Sequence, residues 1–121
     1  MTSFMMSEWY VEMEPEVERW LGTLSAKQFA SAAARIDYLV EFGSIVRMPR
    51  SRPLGAGLFE LRFDVDRAAT RITYFFPGER RIVLLTVFRK QRQNEHAEVE
   101  RARRAMATCV ERGHTADEED Q

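Results

Sequence analysis

Leu58-Phe59-Glu60-Leu61-Arg62-Phe63 alternates without a break. Period two puts Leu58, Glu60 and Arg62 on one face of a strand and Phe59, Leu61 and Phe63 on the other. The strand is expected to run to Val65. Downstream, Arg71-Ile72-Thr73-Tyr74-Phe75-Phe76 alternates again, with Arg71, Thr73 and Phe75 sharing a face. Pro77-Gly78-Glu79-Arg80 reads as a turn into a third strand, Arg81–Arg89, so these two strands should form a hairpin. Within the third, Ile82-Val83-Leu84-Leu85 is continuously apolar. That suits the central strand of a sheet covered on both faces.

Upstream of this meander, residues 8–13 alternate as a half-buried strand, with Trp9, Val11 and Met13 on one side. Pro15 suits a first helical turn, and Glu14, Glu16 and Glu18 complement the positive end of that helix. Ser25 and Gln28 form a capping-box pattern that opens a second helix, which should stop near Gly43 and pack antiparallel to the first. Ser44 to Gly57, with Met-Pro, Arg-Pro and Gly-Ala-Gly, reads as a basic loop. A last helix is expected from Asn94 to Arg112, with Val99, Ala102, Met106 and Cys109 facing inward. The order β-α-α-β-β-β-α gives an α+β fold, a small mostly antiparallel sheet with helices on one face. One domain over residues 1–112 and an acidic disordered tail over 113–121 are expected.

The 121 residues are 45% hydrophobic and 31% charged, which is enough apolar surface for a packed core and excludes a disordered or collagen-like chain. A single Cys109 excludes a disulfide framework and a multi-cysteine metal site. No signal-peptide core or membrane-length apolar run is visible, so a soluble cytoplasmic protein is expected. The net charge of -1 hides segregation. Residues 1–46 carry -4, residues 47–92 carry +7 and residues 93–121 carry -4, and sixteen of the eighteen basic residues are Arg. Guanidinium forks match phosphate in a bidentate geometry that Lys does not offer.

Adjacent strands should gather Arg62, Arg71 and the Lys90/Arg92 strand end on one open face, with Arg47, Arg50 and Arg52 at its rim. Taken singly, these arginines solvate the outer sheet, paired with Glu60, Asp64 and Asp66. A solvated face ordinarily interleaves both signs, so the regional +7 points instead to polyanion binding. Glu60 reads as a structural partner of Arg62 or Arg71. His96, in the first turn of the last helix, has an imidazole of the kind used for acid or base work. His96 and Glu100 sit four residues apart, but two ligands make no metal site. No metal and no cofactor is therefore expected.

Leu54…Gly57-Leu58-Phe59-Glu60-Leu61-Arg62, then Thr70-Arg71-Ile72-Thr73-Tyr74, then Ile82-Val83-Leu84-Leu85-Thr86-Val87-Phe88-Arg89-Lys90 resembles the RelE/HigB toxin superfamily, in its phage-derived HigB-like branch. The likeness is densest over residues 53–106. It implies the toxin of a type II toxin–antitoxin pair, a RelE-like fold and a ribosome-dependent endoribonuclease that cuts mRNA without a metal. In that reaction the ribose 2′-OH attacks the adjacent phosphate. By resemblance Arg71 matches the strand arginine that contacts the scissile phosphate, Arg62 closes the E-L-R motif, and Lys90 matches the first of a strand-end lysine pair. Gln91 departs from the second lysine, which leaves Arg92 as the stand-in for protonating the leaving group. Arg47, Arg50, Arg52 and Arg89 are the expected RNA-binding residues.

Two other functions compete. A ParE-like gyrase poison would use the same fold without cutting RNA, and a non-catalytic nucleic-acid-binding module would only hold phosphates. The resemblance also implies a helix-turn-helix antitoxin as partner beside mRNA and the ribosome, with homo- or hetero-oligomers possible and no membrane association. The acidic first and last helices are expected to face solvent or that antitoxin.

Overall fold

The computed structural model describes residues 9–113. Elements run β1 (Tyr10–Met13), α1 (Pro15–Gly22), α2 (Ala26–Phe42), a 3-10 turn at Gly43–Ile45, β2 (Ser51–Gly55), β3 (Leu58–Val65), β4 (Ala68–Phe75), β5 (Arg81–Arg89) and α3 (Glu95–Arg112). One sheet has the order β1-β5-β4-β3-β2. Only β1 runs parallel, against β5; the other three pairings are antiparallel. The α+β class and mostly antiparallel sheet expected from the sequence are present. The expected tail lies outside the described residues except for Gly113, whose left-handed backbone ends α3.

The helices cover both faces, not one. Val17 of α1 and Ala32, Ile36 and Leu39 of α2 pack on Leu61, Phe63, Val65, Ile72, Tyr74, Ile82 and Leu84. On the opposite face Ala102 and Cys109 of α3 pack on Leu58, Phe75, Val83 and Leu85. Period two in β3 and β4 did separate these faces, but both proved apolar at one end of the sheet, and α3 covers that end. Each N-terminal helix finds its main partner in the sheet rather than in the other helix, α1 on β5 and α2 on β3.

Three details depart from the reading of the sequence. β4, not β5, is the middle strand, although β5 is covered by α1 and α3. The basic loop contains an edge strand, Ser51-Arg52-Pro53-Leu54-Gly55, with an irregularity between Pro53 and Gly55. Proline is tolerated at a sheet edge, and so short a polar strand leaves no alternating apolar signal. β4 also begins three residues early, because Asp66 and Arg67 both adopt positive φ and form a tight hairpin closed by Val65 and Ala68. That turn ordinarily advertises itself with Asn-Gly or Asp-Gly, and neither is present.

Local signals elsewhere were accurate. Ser25 Oγ accepts from the Gln28 amide at 3.2 Å and Gln28 Oε1 accepts from the Ser25 amide at 2.9 Å, completing the capping box. Gly43 ends α2 at φ 55°, and a Cβ there would lie 2.0 Å from the Trp9 indole, so only glycine lets β1 close over that end.

β1 stops at Met13, leaving the outer edge of β5 open beyond Leu84. Glu16 Oε2 accepts from the Val87 amide at 2.9 Å, and Arg101 donates to the Val87 carbonyl at 3.3 Å. Arg101 and Glu16 also pair with each other at 2.6 Å. One ion pair thus satisfies an exposed strand edge and joins α1 to α3 around it. The Glu16 hydrogen bond, with Glu98, holds the Arg101 guanidinium above its ordinary pKa.

Candidate nucleic-acid interface

Beyond the end of α3 that covers Leu58 and Phe75, the same sheet face carries polar rows. Arg52, Glu60, Thr73 and Thr86 are successive cross-strand neighbours on β2, β3, β4 and β5; Arg62, Arg71 and Phe88 form the next row. Thr73 and Thr86 hydroxyls bond at 2.6 Å, and the Thr86 amide donates to Thr73 Oγ1 at 3.1 Å. An irregularity between Thr73 and Tyr74 in the β4–β5 pairing turns both Leu85 and Thr86 toward this face. The apolar floor under α3 therefore changes into the polar floor of the site at that point.

Arg62 and Arg71 stand directly opposite each other, an arrangement that repels unless a counter-charge intervenes. Glu60 is that counter-charge. Its Oε2 lies 3.8 Å from Arg52 Nη1, from Arg62 Nε and from Arg71 Nε. Glu60 is 0% exposed and Arg71 only 7%. Among the described residues neither Glu60 oxygen has a hydrogen-bond partner, nor does Arg71 Nε. Burial raises the Glu60 pKa, helped by the charge of Glu95 and opposed by Arg71, Arg52 and Arg62. Burial likewise lowers that of Arg71, reinforced by Arg62.

Glu95, at the first residue of α3, closes the cluster on its other side. One oxygen meets Lys90 Nζ and the other Arg52 Nη1, each at 3.1 Å. Partial burial acts to raise the Glu95 pKa, but the hydrogen bond and charge of Lys90, with Arg52 and Arg71, hold it below its ordinary value. Lys90, Arg52, Arg62 and Arg71 thus share two carboxylates and leave the face with a surplus of positive charge.

The structure brings together Arg52, Arg62, Arg71 and Lys90 from the residues singled out in the sequence. It does not bring in the others. Arg89 pairs in register with Thr70 on the opposite face, where it lines a cavity of about 460 Å³ with Trp20 and Leu24. Arg47 folds back on the Ser44 carbonyl at 2.6 Å, and Arg50 lies over the Tyr38 ring, 4.7 Å from its centroid. Arg92 and His96 are exposed beside the start of α3 and enter none of the ion pairs described. Gln91 belongs to a tight turn, its amide donating to Asn94 Oδ1 at 2.9 Å. Glu95 was not singled out; its signal was an acidic residue in a first helical turn just after Lys90. Among the described residues no three His, Cys, Asp or Glu side chains converge as metal ligands.

A family model described as phage derived protein Gp49-like matches residues 19–107, which is most of the chain and includes Arg52, Glu60, Arg62, Arg71, Lys90 and Glu95. The chain belongs to this Gp49-like family, a RelE/HigB-type toxin family. No curated protein matches it significantly. Among solved structures it is similar to Escherichia coli toxin RelE, a double arginine-to-alanine mutant in the free state, with TM-score 0.57 and 12% identity over 85% of this chain and 98% of that one. At that identity the likeness concerns the fold, which is RelE-like. Membership of a toxin family implies an antitoxin partner for the Gp49-like chain. No helix among its described residues is long and apolar enough to cross a membrane.

Proposed function

We propose that the Gp49-like chain is a cytoplasmic, ribosome-dependent endoribonuclease that cuts mRNA through attack by the ribose 2′-OH. The observation that carries this reading is the convergence of Arg52, Arg62 and Arg71 on the buried, hydrogen-bond-poor carboxylate of Glu60. Such a cluster is preorganised for a phosphate whose charge grows in the transition state. In the reaction the 2′ oxygen bonds to phosphorus and the bond from phosphorus to the 5′ oxygen breaks. A 2′,3′-cyclic phosphate and a 5′-OH result. Arg71 and Arg62 hold the phosphoryl oxygens, and Lys90 sits beside the leaving oxygen. The 2′-OH proton passes to solvent water, and the 5′ oxygen takes a proton from the Lys90 ammonium beside it. The need for a 2′-OH restricts the reaction to RNA.

A helix-turn-helix antitoxin is the partner we assign, docking on the outer surfaces of α1 and α3 and leaving the basic sheet face to RNA. The deciding experiment adds purified protein to translating ribosomes and maps new mRNA ends. Ends bearing 5′-OH support the reading. A stabilised gyrase cleavage complex with intact mRNA would indicate ParE-like poisoning instead, and salt-sensitive binding with no product would indicate a plain binding module.

A further inference from the structure

The sequence placed the basic surface entirely in the middle third of the chain, and α2 in an acidic one. The structure nevertheless opens a groove of about 380 Å³ between α2 and the part of β3 that β2 leaves uncovered. Ser31 and Arg35 of α2, Pro49, and Arg62, Asp64 and Arg71 line it. Two of these, Arg62 and Arg71, also face Glu60, so the groove and the site share their walls. Arg35 is half-buried and makes no ion pair among the described residues. A half-buried guanidinium ordinarily finds a carboxylate. Here three guanidinium groups line one groove against the single carboxylate of Asp64.

We propose that this groove is a second nucleotide subsite, in which Arg35 takes the phosphodiester next along the RNA strand from the one held by Arg71. The inference rests on the nucleic-acid reading above and adds to it a direction: the strand leaves the Glu60 cluster past Arg62 and runs along α2. The volume suits one nucleotide. Pro49 and the Arg62 stem offer a flat apolar wall for a base, Ser31 a hydroxyl for the sugar, and Asp64 an acceptor for a base amino group. Arg35 is a binding and positioning residue, and it touches no reacting atom.

The test measures binding of fluorescein-labelled 2′-O-methyl oligoribonucleotides, which cannot be cut, with two and with four nucleotides, at several salt concentrations. Wild-type protein should bind the tetramer more tightly than the dimer by about tenfold, and each phosphate contact should add about 0.7 to the salt slope. Arg35→Gln should erase that gain and the added slope while leaving the dimer affinity within about twofold. Arg35→Lys should keep the slope, since it keeps the charge, and recover part of the gain. An Arg35→Gln protein that keeps both the gain and the slope overturns the subsite. Equal loss for dimer and tetramer also overturns it, as does weakened ribosome binding with oligonucleotide binding intact. If the gain depends on Arg35 but translating ribosomes yield no cut mRNA, the subsite stands and the nuclease reading falls.

Discussion

Glu95→Gln should tighten RNA binding and weaken the fold at the same time. The carboxylate bridges Lys90 and Arg52 at 3.1 Å each and occupies the place where an incoming phosphate would meet those cations. Removing one negative charge about 5 Å from a bound phosphate is worth about 1–3 kcal/mol by Coulomb's law at effective dielectric constants between those of water and a protein surface. Arg52 is nearly half exposed and the pair is screened, so about 1 kcal/mol, or roughly fivefold in affinity, is the expected gain. The fold loses two part-exposed ion pairs and a carboxylate at a helix N-terminus, together about 1–2 kcal/mol. Because Glu95 is held below its ordinary pKa, its stabilisation is present above the usual carboxylate range and disappears as pH falls through the lowered value. Wild type and Glu95→Gln should therefore converge in stability in acid. Fluorescence anisotropy with an uncleavable RNA gives the affinity, and urea melts across pH give the stability. Unchanged or weaker RNA binding by a folded Glu95→Gln protein would rule out this role for Glu95, as would a stability gap that widens in acid.

Other outcomes follow from the same geometry. Arg101→Ala uncovers the Val87 carbonyl and breaks the link between α1 and α3, so it should cost about 1–3 kcal/mol in a urea melt and leave RNA binding unchanged. Thr73→Val removes both hydrogen bonds to Thr86 in a buried place and should cost a similar amount, about 1–3 kcal/mol, read in the same way. Glu60 has a raised pKa, so the folded state binds its proton more tightly than the unfolded chain does, and its contribution to stability falls as pH rises above the ordinary carboxylate range. Glu60→Gln should abolish that decline in a series of melts.

The strands that carry the site were legible because charge and apolar residues alternate on them, which fixed both their existence and the shared face of Glu60, Arg62, Arg71 and Thr73. Less legible was anything set by register or by a third element. Arg89 follows the alternation of its strand end, yet the irregularity beside Thr86 and the pairing with Thr70 put it on the far face. Arg47 and Arg50 share a basic loop with Arg52, but only Arg52 is in a strand that pairs beside Glu60. β2 itself was hidden by Pro53 and by the lack of apolar alternation. Arg35 lay in a segment whose net charge is negative, and only the packing of α2 beside β3 brings it to Arg62. Summed regional charge located the face; it could not assign its individual members.

The proposed reaction assigns Arg71 to the charge on a scissile mRNA phosphate. Its most direct test is the single-turnover rate of mRNA cleavage on programmed ribosomes for wild type and for Arg71→Ala and Arg71→Lys, with folding verified by circular dichroism. Loss of one preorganised charge donor should slow cleavage by about 10²–10³-fold in Arg71→Ala, with ribosome binding retained and partial recovery in Arg71→Lys. A folded Arg71→Ala protein that yields 5′-OH ends at the wild-type rate would contradict the account.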